Sequence, residues 1–267
     1  KDWKIINLRY FNPIGAHKTG LIGDRAISNF SNLFPLLCKV ANKEIDLVIA
    51  NAENAMAGAG VDIKSAEELF SGGVHVLTSG NHIWRKREIY SYLDSNPRLI
   101  RPANYPEGAP GKGWYKWEGN TGLRALIVNL EGRVFMKNIE DPFRHVDTIL
   151  QEQGSFSPVI IVDMHAEATS EKNAMGWFLD GRVSLVYGTH THIQTADERI
   201  VSNGTAYITD LGMCGPMDSV IGMKKETVLE GFLSGLPSRF EVARDNVVIQ
   251  GVLLDVDESS GKANKIE

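Results

Sequence analysis

At 267 residues, 43% hydrophobic and 23% charged, the chain has the length and composition of one soluble globular domain, with or without a small subsidiary lobe. No apolar run approaches the roughly 18–20 residues needed to span a bilayer, which argues against a membrane-spanning helix. A net charge of −5 and a pI near 5.8 argue against stable nucleic-acid binding over a broad face, yet allow a small anionic substrate at a local cationic site.

The opening "KDWKIINLRY" lacks the charged-then-apolar layout of a signal peptide, and no Met precedes it, so a start further upstream is left open. "SNFSNLFPLLCKVANK" (28–43) has helical composition, with Pro35 placed to kink or restart it. "DLVIA" (46–50), "VHVLT" (74–78), "RALIVNL" (124–130), "PVIIVD" (158–163), "VSLVY" (183–187) and "TAYIT" (205–209) read as strands. Their continuous apolar runs, rather than strict alternation, predict strands covered on both faces. Between them, "IKSAEELFSG" ends on Gly as a helix C-terminus does, and "WRKREIYSYLDS" has the composition of a second helix. "RPANYPEGAPGKGW" (101–114) is too rich in Pro and Gly to be anything but a loop. Residues 101–145 are therefore expected to form a small lobe or loop excursion on a single domain covering 1–267. The tail, from Arg239, reads as antiparallel strands with a turn at "DESSGK". Alternating strand and helix is the α/β signature, with sheet sandwiched between helical layers. Cys38 and Cys214 make no C-x-x-C pair and read as core thiols, and so few cysteines fit a reducing cytoplasm.

The chemistry collects where strands end. "DLVIANAEN" delivers Glu53 and Asn54, "VHVLTSGNH" delivers Asn81 and His82, "VIIVDMH" delivers His165, and "VSLVYGTHTH" delivers His190 and His192. In open α/β sheets the ligand crevice lies beyond the carboxyl ends of the strands. Imidazole, carboxylate and amide oxygen make a mixed N/O donor set suited to Mn, Fe or Zn. His190 and His192 stand two apart, so an extended backbone would aim both rings the same way. A Glu can bridge two cations, and two metals about 3.5–4 Å apart can activate a hydroxide and stabilise charge on a phosphoryl group. Gly80 and Gly188 precede these groups and permit close backbone approach.

The order "NAEN … GNH … VDMHAEATSEK … GTHTH" resembles the calcineurin-like metallophosphoesterases, and more closely their YmdB-type bacterial branch. "RLIRPANYP", "NLEGRVFM", "TADERI", "GTAYITDLGMCGP" and "DSVIG" extend the likeness from about Ile45 to the end. The resemblance implies a sandwich of β-sheets flanked by helices and a phosphodiesterase acting on 2′,3′-cyclic nucleotides. It implies two divalent cations, Fe or Mn ahead of Zn or Mg. Glu53 would bridge them, with Asn81, His165, His190 and His192 completing the coordination. Asn54 would contact the phosphate, and His82 would protonate the departing ribose oxygen, a role suited to an imidazole that titrates near neutral pH. Relatives suggest a symmetric homo-oligomer.

The family adds an Asp at the end of its first strand, and here the chain departs. "GLIGD" (20–24) keeps the last letters of that strand end, which favours Asp24; the alternative makes "KIINLRY" the first strand and leaves Tyr10 or Asn12 in the Asp's place. The preceding "LRYFNPIGAHKTGLIGD" (8–24) resembles the UDP-sugar 4-epimerases. An epimerase needs a Gly-rich dinucleotide turn and a Tyr-x-x-x-Lys pair, and the sequence holds neither. Residues 1–30 therefore read as an atypical N-terminal segment on a phosphoesterase body. Should the Asp be lost, the competing function is a metal- and nucleotide-binding regulatory protein with little or no catalysis.

The remaining polar residues divide by context. His75 and His145 read as structural, and His17 takes no role. Asp163 and Glu167 flank His165 and could orient imidazoles. Thr169 and Ser170 offer a capping hydroxyl. Arg101 and Arg133 stand between anion clamp and ordinary pairing, and "RKR" (85–87) reads as a solvated helix face.

Overall fold

Strand parity decides what faces what. Along the strand that carries His165, Ile161 joins one hydrophobic cluster while Ile160, Val162 and Met164 join another, the period-two alternation of a pleated strand covered on both sides. The computed structural model describes residues 2–9, 45–56 and 58–267. Strand β1 (Asp2–Arg9) covers most of "KIINLRY", the segment that one of the two readings makes the first strand. Asp24, Tyr10, Asn12, His17, Cys38 and the helix-like stretch 28–43 lie outside the described residues.

Two mixed sheets result. The first has β1 parallel to β2 (Leu47–Asn51), which is parallel to β3 (Val76–Thr78), with β12 (Gly251–Asp257) and β13 (Ala263–Ile266) added antiparallel on the other side of β1. The second runs β4 (Trp114–Glu118), β5 (Arg124–Glu131), β6 (Ile160–His165), β7 (Leu185–Thr189), β9 (Ala206–Ile208) and β8 (Arg199–Ile200). Its β5, β6, β7 and β9 are mutually parallel neighbours. A short ribbon pairs β10 (Gly215–Pro216) with β11 (Val247–Val248).

Ile5, Leu47, Ile49 and Leu254 of the first sheet meet Ile127, Ile161, Leu185 and Tyr187 of the second in one buried cluster between the sheets. Helices α1 (Ile63–Ser71) and α2 (Glu88–Ser95) cover the outer face of the first sheet through Val48, Ala50 and Leu77. Helices α3 (Pro142–Gln153) and α4 (Thr169–Phe178) cover the second through Leu126, Val128 and Val162. The fold is thus the helix-flanked α/β sandwich expected for a metallophosphoesterase. Among the described residues a further helix, α5 (Lys225–Ser234), lies in the segment between β10 and β11. Among the described residues no helix is long and apolar enough to cross a membrane.

Two local features differ from the sequence reading. "WRKREIYSYLDS" is not one helix: Ile83–Arg85 makes a 3-10 turn, Lys86 is extended, and α2 starts at Glu88. Within 101–145, the expected strand at 124–130 is β5, and β4 pairs beside it in the second sheet. Helix α4 does start at Thr169, but its N-cap is Ala168, with no capping hydroxyl. Instead Glu171 in the first turn folds over to accept the backbone N–H groups of Arg133 and Val134.

Candidate metal centre

The inward-facing positions of the strands turn polar towards their carboxyl ends. Leu47 and Ile49 give way to Asn51 on β2, and Ile161 gives way to Asp163 and His165 on β6. The fully buried Asp163 carboxylate accepts from Asn51 Nδ2 (2.9 Å) and Thr78 Oγ1 of the first sheet and from Thr189 Oγ1 (2.7 Å) of the second. Burial pushes its carboxyl above the ordinary range, against the pull of His165 and these donors.

His165 is fully buried and its ring is fixed at both nitrogens. Nδ1 lies 2.9 Å from Thr189 Oγ1, whose own hydrogen goes to Asp163. The neutral ring therefore carries its proton on Nδ1, and Nε2 presents a lone pair. Three further donor atoms crowd that lone pair: Glu53 Oε2 at 2.7 Å, Asn81 Oδ1 at 3.0 Å and His190 Nδ1 at 3.1 Å. The second nitrogen of His190, Nε2, sits 3.0 Å from Glu167 Oε2, so its N–H is directed there and Nδ1 also offers a lone pair. A single proton can satisfy only one of these converging contacts. A cation satisfies them all, and the carboxylate–amide–imidazole set suits Mn, Fe or Zn. Glu53, His165 and His190 each bring a ligand atom within 4.8 Å of the others.

Glu53 is itself held in place. Its Oε1 accepts the backbone N–H of His82 at 2.9 Å, and its own N–H donates to Asn51 Oδ1 at 3.2 Å. Gly80 lets the chain pass directly over the imidazole: a Cβ there would fall onto the His165 ring. At Gly188 a Cβ would collide with the Thr209 carbonyl of β9's exit, so close strand contact excludes any side chain.

His192 and His190 diverge, contrary to the extended geometry expected of residues two apart. Strand β7 ends at Thr189, and both histidines take left-handed backbone conformations, φ 101° and 66°. Between them Thr191 is pinned by N–H (3.2 Å) and O–H (2.7 Å) bonds to Asp210, itself in a buried 2.7 Å ion pair with Lys172. His190 turns to the buried donors. His192 turns to Asn54, with Nε2 3.0 Å from Asn54 Nδ2, while its Nδ1–H donates to the Ile221 carbonyl at 3.0 Å. Asn54 Oδ1 in turn lies 3.2 Å from His82 Nδ1. With the amide oriented in this way, His82 Nδ1 carries a proton that it donates to Asn54 Oδ1. Asn54, His82, Glu167, His190 and His192 share one wall of a cavity of about 460 Å³. A larger depression of about 1170 Å³ shares Phe240 with it, and there Lys224 pairs with Glu241.

Other residues settle into structural places. Arg101 is buried, and its guanidinium donates to the carbonyls of Pro102, Ala103, Ala109 and Pro110, stitching the Pro/Gly loop rather than facing an anion. Arg133 pairs with Asp141 at 2.7 Å. His75 accepts the Val48 N–H, His145 pairs with Glu140, and Cys214 is buried. Thr189, Lys172, Asp210 and Glu131 do not stand out in the sequence. Glu131 closes β5 in register with His165, fully buried, and burial raises its carboxyl to about 7. A charged residue ending an apolar strand is the available signal for both Glu131 and Asp210.

Fold and donor set together define an α/β sandwich of the phosphoesterase type. The chain belongs to the YmdB-like protein family, which it matches over residues 21–267. It is 48% identical over 219 residues to a 2′,3′-cyclic-nucleotide 2′-phosphodiesterase of Bacillus subtilis, covering 82% of this chain and 83% of the relative. A solved phosphatase of Mycoplasma pneumoniae superposes with a TM-score of 0.85 at 32% identity, over 100% of this chain and 92% of that one. A separate stretch of 40 residues, 15% of the chain, is 55% identical to a UDP-glucose 4-epimerase of Neisseria gonorrhoeae and covers 12% of it.

Proposed function

We propose that this chain hydrolyses 2′,3′-cyclic nucleotides as a metal-dependent phosphodiesterase. The observation that carries the proposal is the convergence of Glu53, Asn81 and His190 on the lone pair of His165 Nε2. Its similarity to a named phosphodiesterase and a named phosphatase supports the hydrolase class and the substrate. Glu53, Asn81, His165 and His190 would hold the cations, with His192 and Asp24 proposed to complete a two-metal set. Divalent cations, with Fe or Mn favoured by the family resemblance and Mn, Fe or Zn all suited to the donors, would supply Lewis acidity towards phosphoryl oxygens and acidify water.

The remaining work falls to the chain. Asn54 stands on the cavity wall between His82 and His192, where its amide can reach a phosphate oxygen. His82 keeps Nδ1–H on Asn54 Oδ1, so the proton that reaches the departing ribose oxygen leaves from Nε2. Glu53 Oε1 anchors the His82 backbone and so sets the ring's distance from the donors.

The test uses the full chain loaded with Mn²⁺ or Fe²⁺ and given 2′,3′-cyclic AMP. Turnover is expected, and His82→Ala should lower kcat by roughly 10²–10⁴-fold, the usual value of a positioned general acid. Equal turnover in both proteins removes the acid role. Nucleotide binding without turnover, and one metal per chain by elemental analysis, would instead make the chain a regulatory binder.

A further inference from the structure

The cavity beside the donor set has two unlike walls. Besides the imidazoles and Asn54, the segment between β10 and β11 contributes Val220, Ile221, Met223, Val228, Phe232 and Phe240 to its lining, none of which carries a side-chain N–H or O–H. Val228 and Phe232 stand four apart on α5 and so share one face of the helix. Phe232 is 80% exposed and Phe240 55% exposed, two large rings left in water while lining the same cavity as His82, His190 and His192. Ile221 sits at the tip of a tight turn, at φ 46°, closed by reciprocal backbone bonds between Val220 and Met223. Its carbonyl holds His192, so the apolar wall is tied directly to the polar one.

On the basis of the hydrolytic reading of this site, we infer that Phe232 and Phe240, backed by Ile221, form the nucleobase subsite. The ligand for such a cavity carries a phosphodiester at one end and a flat heteroaromatic ring at the other. A sugar phosphate or polyphosphate has nothing to place against the apolar wall. Base–aromatic stacking contributes about 1–3 kcal/mol per base and tolerates every base, because each has a π-face. With no side-chain hydrogen-bonding group on that wall to read base edges, the subsite selects for a base but little among bases.

The probe is equilibrium binding by calorimetry to the Mn²⁺-loaded full chain, which reads the subsite independently of turnover. Adenosine 3′-monophosphate is compared with inorganic phosphate, and their affinity ratio is the measured quantity. Phe232→Ala/Phe240→Ala should lower that ratio by about ten- to a hundredfold, the stacking range expressed as affinity. Phe240→Trp should retain it, and cytidine 3′-monophosphate should bind the wild type within about tenfold of the adenosine compound. A ratio unchanged in the double variant, or a loss in Phe240→Trp as large as in Phe240→Ala, overturns the subsite. If the wild type binds with the expected ratio yet hydrolyses no cyclic nucleotide, the hydrolytic reading falls and the base subsite stands.

Discussion

At the scale of single residues, the candidate centre depends on an atom that is not itself among the converging donors. Thr189 Oγ1 donates to Asp163 and accepts from His165 Nδ1, and so decides which nitrogen of His165 carries the lone pair. Thr189→Val keeps the shape and removes both bonds. Outer hydrogen bonds of this kind contribute roughly 10–100-fold in metal affinity. Thr189→Val should weaken Mn²⁺ binding by that factor, measured by competition with a chelating dye, while Thr189→Ser restores most of it. Undiminished affinity in Thr189→Val would show that Asp163 does not act through the hydroxyl. The sequence points to Asp163 as a neighbour of His165, but alternation along β6 puts both on the inner face without contact between them. The link runs across strands, through the β6–β7 register that sets His165 opposite Thr189, and no spacing within one segment reports it.

At the scale of elements, strand ends are legible because the strands are covered on both faces: an apolar run that stops at a carboxylate, amide or imidazole marks both the end of β-structure and the start of the site. The loops leaving those ends are less legible. A spacing of two places His190 and His192 on one side of an extended chain, but the Asp210–Lys172 pair bends the loop and sends the two rings apart. That pair joins β9's exit to α4, elements remote from the histidines in sequence. Arg101 shows the same limit, since loop carbonyls that consume a guanidinium have no sequence signature. His75, just before β3, allows a test at this scale. Its Nδ1 accepts the Val48 N–H across to β2, an interaction open only to the neutral ring. Burial first, then the Arg98 charge, lowers its pKa from 6.5. A depressed folded pKa means that the unfolded chain binds the proton more readily. The contribution is therefore complete above the unfolded value and is lost as pH falls from there through the folded one. His75→Asn keeps an acceptor in place of Nδ1 and cannot titrate. The wild-type melting temperature should fall more steeply than the variant's between about pH 7.5 and 5.5, and parallel curves would assign the acid sensitivity elsewhere.

At the scale of the whole molecule, the donor set straddles the sandwich. Glu53 and Asn81 come just after β2 and β3 of the first sheet, whereas His165 ends β6 and His190 comes just after β7 of the second. Below them Asp163 already bonds to residues of both sheets. A cation at this point would join two layers that otherwise meet through apolar contacts and the Asp163 bonds, and it would stabilise only the state in which both are in place. Mass action sets the size: at a hundred times Kd, binding to the folded state alone contributes about 2.7 kcal/mol. For a chain of this length each kcal/mol moves Tm by roughly 2–4 °C, so a rise of about 5–10 °C is expected. The measurement is a thermal melt of chelator-stripped protein titrated with Mn²⁺, in which Tm should keep climbing with the logarithm of free metal beyond saturation. Glu53→Gln, which withdraws the charge from the first sheet's side, should flatten that climb while leaving the metal-free melt within a few degrees of wild type. A metal-free protein that melts with the loaded one would mean that the sheets are held by the apolar interior and the Asp163 bonds alone, with the cation a passenger on a finished fold.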